Sequence, residues 1–180
     1  VSRPSPPPPV KLIVSLFSAR EPFLEEVLER LSRLFGPIDD LGPRGFFDRS
    51  TYYSAEMGWP LHRRYASFER LIQTTELVAA KMATNALEAE SAGADGRRLV
   101  NIDPGILSVE RLVLATGKNF THRVYLSQGI YADLTLIFQK GSFRPLEWSY
   151  PDYAGPVMIE WLNALRCKYR EQLRGEKDSD

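Results

Sequence analysis

Apolar residues recur along this chain with two different periods, and the switches between them predict its elements. Residues 11–17 are apolar and rich in β-formers, a first strand. Phe23, Leu24, Val27, Leu28, Leu31, Leu34 and Phe35 then repeat at helical spacing. Ser18 and Glu21 stand at capping-box spacing before that helix, and Gly36-Pro37 stops it. Residues 37–45, rich in Gly, Pro and Asp, read as a loop. Residues 46–55 read as an aromatic second strand, and Met57-Gly58-Trp59-Pro60 turns the chain into a third, residues 62–71. Thr74 or Thr75 caps a second helix with Leu77, Val78, Met82, Ala86 and Leu87 on one side, which residues 91–96 end. Residues 98–102 form a fourth strand. The order β-α-β-β-α-β predicts an α+β fold with a ferredoxin-like core. It is extended by a short helix at 109–115, a β-hairpin and a C-terminal helix. Pro156 suits the first turn of that last helix, and Met158, Trp161, Leu162, Leu165 and Tyr169 form its stripe.

The hairpin admits a finer reading. Strands 121–126 and 130–138 flank Ser127-Gln128-Gly129. A two-residue turn would set Val124 against Asp133 and Arg123 against Leu134 and mix apolar with charged groups on each face. A three-residue loop with Gly129 left-handed instead pairs Arg123 with Asp133, Tyr125 with Tyr131 and Thr121 with Thr135 on one face. The other face then carries Val124 with Ala132, Leu126 with Ile130 and His122 with Leu134, which places His122 at the rim of an expected core face.

Composition adds limits. At 180 residues and 43% hydrophobic the chain suits one well-buried domain. The expected division is a Pro-rich tail at 1–9, one domain at 10–173 and a charged tail at 174–180. Lys+Arg and Asp+Glu both number 23, so there is no net basic field of the kind that tracks a nucleic-acid backbone. A single cysteine, Cys167, excludes an internal disulfide and is expected to pack as a small apolar side chain. No apolar run approaches the ~20 residues needed to span a bilayer, and no signal-type segment stands at the N-terminus, so the expected location is cytoplasmic.

Candidate chemistry gathers between residues 99 and 148. Asn101-Ile102-Asp103-Pro104-Gly105 reads as a tight turn after the fourth strand, with Asp103 either a carboxylate for proton or metal chemistry or a turn residue bonded to local N–H groups. Thr116-Gly117-Lys118 lacks the upstream glycine of a phosphate loop. Gly117 therefore reads as a helix stop and Lys118 as a lone phosphate contact. His122 exchanges protons near neutrality and Arg123 offers a planar fork to an anion. The plainer reading bonds His122 at the core edge and pairs Arg123 with Asp133. Zinc would require His62 and His122 together at no recognisable spacing, so no metal is assigned, although Asp103, Asp133 or Glu56 could meet a hard cation. Tyr52, Tyr53 and Glu56, with Arg63-Arg64, form a weak analogue of an RNA-stacking sheet. The plainer expectation sends the tyrosines inward and the arginines to solvent. Residues 148–153 form an aromatic linker that either lids a pocket or packs the last helix.

Val100 to Gly105, Leu114 to Lys118, His122-Arg123 with Tyr125-Leu126, Gly129 to Ala132 and Trp148 to Tyr153 together resemble the bacterial domain of unknown function 4416 family over residues 10–153. The resemblance implies one domain and brings no activity, cofactor or catalytic residue. The leading expectation is a site that binds or acts on a small anionic, phosphate-bearing or nucleotide-like molecule. In it Asp103, His122 and Asp133 would be the chemical groups and Lys118, Arg123, Tyr125 and Tyr131 the binding groups. The alternative is a non-catalytic interaction module or homodimer, and RNA binding stands third; neither a membrane nor a cofactor is assigned.

Overall fold

Every residue of β1 (Val10–Ser18) is buried, because this strand lies inside the sheet with helices over both faces. In the computed structural model, which describes residues 2–47 and 53–177, β1 pairs antiparallel with β4 (His62–Ile72) on one side and β5 (Asn101–Leu107) on the other. Leu12, Val14 and Leu16 meet the inward faces of α1 (Glu21–Phe35) and α3 (Leu77–Glu90). Ile13 on the opposite face joins the cluster built on α5 (Pro156–Lys177), where Met158, Leu162, Leu165 and Tyr169 are the buried stripe. Cys167 lies off that stripe and is exposed, not packed as expected.

Several local expectations give way to tertiary pairing. Ser18 remains in β1, where its hydroxyl donates to Leu99 O and accepts from Arg20 N. Glu21 turns to Arg64, so no capping box forms. The predicted loop 37–45 contains a short strand, β2 (Ile38–Leu41), and β3 (Gly45–Phe46) also pairs with β4. Of the strand expected at 46–55, residues 48–52 lie outside the described residues, and Ser54–Met57 form a helical turn, α2. Neither Thr74 nor Thr75 caps α3. A 3-10 turn precedes it, and Glu76 Oε2 accepts from Gln73 N at 2.7 Å. Met82 and Ala86 are exposed; the inward stripe of α3 is Leu77, Lys81, Thr84, Leu87 and Glu88.

Two corrections bear on the site. The turn expected at 101–105 is strand throughout, and the helix expected at 109–115 is a strand, β6 (Arg111–Thr116). A short apolar run such as Leu112-Val113-Leu114-Ala115 does not distinguish helix from buried strand by period alone. The strand places Leu112 and Leu114 in the α5-side core.

β7 (Arg123–Ser127), β8 (Ile130–Gln139) and β9 (Ser142–Pro145) complete an antiparallel sheet, nine-stranded among the described residues. Its order is β2-β4-β1-β5-β6-β8-β7, with β3 on β4 and β9 on β8. A helical turn, α4 (Pro151–Ala154), leads into α5. In the β7–β8 hairpin Arg123 faces Asp133, Val124 faces Ala132 and Tyr125 faces Tyr131, as the pattern predicts. The device differs, since Gln128 (φ 51°) and Gly129 (φ 77°) make a two-residue turn, Ser127 rather than Leu126 faces Ile130, and a bulge beside Leu126 restores the register. Thr121 and His122 precede the ladder. The expected core face is also inverted at this edge: Val124 and Leu126 are exposed, whereas Asp133 and Thr135 are buried. The protein is thus mixed α+β with a large antiparallel sheet. No helix among the described residues is long and apolar enough to cross a membrane.

Candidate functional site

The sheet splits between β5 and β6. These strands pair only where Gly105, Ile106 and Leu107 face Leu114, Val113 and Leu112; beyond Leu114, β6 continues along β8 while residues 101–104 stay with β1. Side chains from α3 fill the vacated hydrogen-bonding positions. Lys81 Nζ donates to Ile102 O at 2.9 Å, and Glu88 Oε1 accepts from Ile102 N at 2.6 Å. Ile102 therefore turns its backbone groups toward the gap. By the two-residue alternation of an antiparallel strand, Pro104 points the same way. Its missing N–H stands at the side that β6 has left, the position at which a strand tolerates proline. Gly105 closes the split: a Cβ there would lie 2.7 Å from Leu114 Cδ2 and 2.9 Å from Val113 O.

A cavity of about 640 Å³ occupies the gap and reaches both faces of the sheet. At its inner end Phe17 and Phe47 stack with ring centres 4.6 Å apart, and Tyr53 meets both edge-on. Arg63 lies over Phe17 and Phe47, gives two hydrogen bonds to Ser15 Oγ (3.0 and 2.9 Å) and pairs with Asp152 of α4. Arg63 and Arg64, expected in solvent, are both buried; Arg64 pairs with Glu21 and Glu25. On the α3 side Lys81 also reaches Asp103 Oδ1 at 3.2 Å, and Asn101 Nδ2 donates to Asp103 Oδ2 at 2.6 Å. Arg98 holds Glu56 through two 2.7 Å bonds, which keep the Glu56 carboxyl below its ordinary range, whereas burial raises that of Glu88. Burial likewise pushes Tyr65 up to about 12 and raises Tyr153, so both phenols stay protonated. The outer end is formed by Thr116, Gly117, Lys118, Asp133 and Tyr150. Gly117 follows a strand here and does not stop a helix.

Of the residues the sequence assigned to the leading site, Asp103, Lys118 and Asp133 line this cavity. His122 and Arg123 stand behind Asp133, with His122 Nε2 3.2 Å and Arg123 Nε 2.9 Å from its Oδ2. The His122 ring stacks on Trp148 at 5.0 Å and borders a separate shallow pocket with Phe120, while Arg123 Nη2 donates to the Tyr150 hydroxyl at 2.6 Å. Tyr125 and Tyr131 meet each other edge-to-face at 5.3 Å and lie outside the cavity wall. Both readings of the aromatic linker hold to some extent, since Tyr150 and Tyr153 border the cavity and Tyr153 also packs in the α5-side core.

Sequence reasoning missed Lys81, Glu88 and Arg98. Lys81 and Glu88 did carry a signal: with Leu77 and Thr84 they form one stripe at steps of four, three and four, and two charges on a buried stripe require partners. Among the described residues, four cations (Arg63, Lys81, Arg98, Lys118) and four carboxylates (Glu88, Asp103, Asp133, Asp152) line the wall. Asp103, Asp133 and Glu56 are each engaged by a different cation, and no three His, Cys, Asp or Glu among the described residues converge to hold a metal ion. The arrangement suits recognition of a polar molecule through rings and fixed donors.

The family model described as domain of unknown function (DUF4416) matches residues 8–169, and the chain belongs to that family. No curated protein and no solved structure matches it.

Proposed function

We propose that this member of the domain of unknown function 4416 family binds a small phosphate-bearing, nucleotide-like molecule in the gap between β5 and β6. The observation that carries the reading is the split itself. Pro104 on one strand, with Lys81 and Glu88 from α3, holds open a cavity of about 640 Å³, within the range of small-molecule sites. Its aromatic end offers a surface for a planar ring, and carboxylates already neutralise Arg63, Lys81 and Arg98 around it. The phosphate belongs at the opposite, outer end, where the Thr116-Gly117-Lys118 corner brings a cation to the wall. The order β2-β4-β1-β5 with α1 and α3 on one face supports the ferredoxin-like reading of the core that carries the pocket.

A thermal-shift screen over nucleoside monophosphates, sugar phosphates and organic acids tests this. A ligand at a hundred times its dissociation constant adds ~2.7 kcal/mol, about 5–10 °C for a chain of this length. Phosphate-bearing compounds are expected among the hits, with the response weakened by Lys118→Ala. A screen without any phosphate-bearing hit at millimolar concentration overturns the reading.

A second reading, self-association along β7, is favoured by one observation. Val124, Tyr125 and Leu126 are 67%, 57% and 41% exposed on a strand at the end of the sheet. Light scattering that finds a concentration-dependent dimer, lost in Tyr125→Lys, would support it. The arginines that an RNA-binding reading would use, Arg63 and Arg64, are buried.

A further inference from the structure

Arg123 does not border the cavity, but its guanidinium ties together three groups that form the outer end. Nε donates to Asp133 Oδ2 at 2.9 Å, Nη1 to Lys118 O at 3.0 Å and Nη2 to the Tyr150 hydroxyl at 2.6 Å. Tyr150 does border the cavity, is 44% exposed, and makes its bond to Arg123 at the surface. A phenol that accepts a hydrogen bond keeps its own O–H proton to donate. Among the described residues nothing accepts that proton. The outer end therefore carries a donor that Arg123 holds in place and that stands open to a ligand.

The acceptor it suits follows from what stands behind the hydroxyl. An O–H whose oxygen accepts from a cation is polarised into a stronger donor. Burial raises the Tyr150 phenol above its ordinary range against the opposing pull of Arg123, so it stays protonated at neutral pH. The carboxylate at this end is already engaged. Asp133 is 2% exposed, with Arg123 Nε and His122 Nε2 on its Oδ2 and the Thr135 hydroxyl on its Oδ1. An anionic oxygen arriving here meets the polarised donor, beside the Lys118 corner that the same guanidinium holds. Resting on the pocket reading above, we propose that the Tyr150 hydroxyl donates to a phosphate oxygen of the ligand and that Arg123 acts through this hydroxyl as a positioning residue. The direct contact thus belongs to Tyr150 and not to Arg123.

The test is isothermal titration of the wild type, Tyr150→Phe, Arg123→Lys and the double variant. The probes are uridine and adenosine 5′-monophosphates, with uridine and adenosine as their phosphate-free counterparts. The better monophosphate is expected to bind the wild type at least about tenfold more tightly than its nucleoside. Tyr150→Phe should erase about tenfold of the monophosphate affinity, the scale of one hydrogen bond to a charged group, and leave the nucleosides within about twofold. Arg123→Lys should lose part of the same preference. The double variant should fall no more than about twofold below Tyr150→Phe alone, because Arg123 acts through the hydroxyl. Monophosphates binding Tyr150→Phe as tightly as the wild type would overturn the proposal and leave the pocket reading standing. Equal losses for monophosphate and nucleoside would reduce Tyr150 to a structural role and overturn it as well. Additive losses in the double variant would place Arg123 on the ligand and overturn its positioning role. If no probe binds the wild type, this inference and the pocket reading both fall.

Discussion

Replacing Gly105 with alanine tests whether β6 is seated on β5 only at the closed end of the split. The added Cβ would sit 2.7 Å from Leu114 Cδ2 and 2.9 Å from Val113 O, with Ile13 Cγ1 at 3.6 Å. Carbon atoms pack at about 3.5–4.0 Å, so the first contact is too short by about 1 Å. Leu114 can turn its side chain, although it is 5% exposed and packed in the α5-side cluster. The Val113 carbonyl cannot turn, because it belongs to the backbone of β6 where that strand meets β5. Relief therefore requires β6 to move away at the three residue pairs that join the two halves of the sheet. Overpacking of this kind costs ~1–3 kcal/mol. For a chain of this length that lowers the melting temperature by about 2–12 °C. Urea unfolding should show the same loss as a lower midpoint with an unchanged slope. Gly117→Ala is the matched control: nothing lies within 4 Å of its Cβ position, and stability should not change. Equal melting temperatures for Gly105→Ala and the wild type would mean that the strands do not approach this closely, and the account of the split would be wrong.

Asp133 is 2% exposed and accepts from Arg123, His122 and the Thr135 hydroxyl, so Asp133→Asn should cost about 3 kcal/mol by leaving the Arg123 cation beside a neutral amide. A loss below about 1 kcal/mol in urea unfolding would refute that scaffold role and return Asp133 to the list of chemical groups. Burial raises the Glu88 carboxyl above its unfolded value, so its contribution is fully present below the ordinary glutamic range and is lost as pH rises through the folded value. The wild type should therefore lose stability relative to Glu88→Gln as pH rises above the ordinary glutamic range, measured by melting temperature in matched buffers. A difference that changes in the opposite direction would show that the partners of the carboxylate, Ile102 N and Arg98, outweigh its burial.

What local pattern encodes was legible in the chain. Leu24, Val27, Leu28, Leu31 and Phe35 of α1 and the stripe of Met158, Leu162, Leu165 and Tyr169 are buried as read, because helical amphipathicity is written within a few turns, whereas Leu34 of the same repeat is 51% exposed. The pairing of Arg123 with Asp133 and of Tyr125 with Tyr131 was also legible, since the two-residue period and a nearby left-handed glycine constrain the register. Family membership followed from the same stretches of residues. Tertiary structure decided the rest. Pro104-Gly105 carries every local mark of a turn, yet β1 pairs with this segment over seven consecutive residues and keeps it extended. The proline then stands where β5 and β6 separate, and the glycine where they join. The cavity unites Phe17, Lys81, Asp103 and Tyr153, residues far apart in sequence whose proximity depends on the strand order and on α4 and α5 crossing back over the sheet. No period along the chain specifies such a meeting, because it results from long-range pairing that several elements satisfy together.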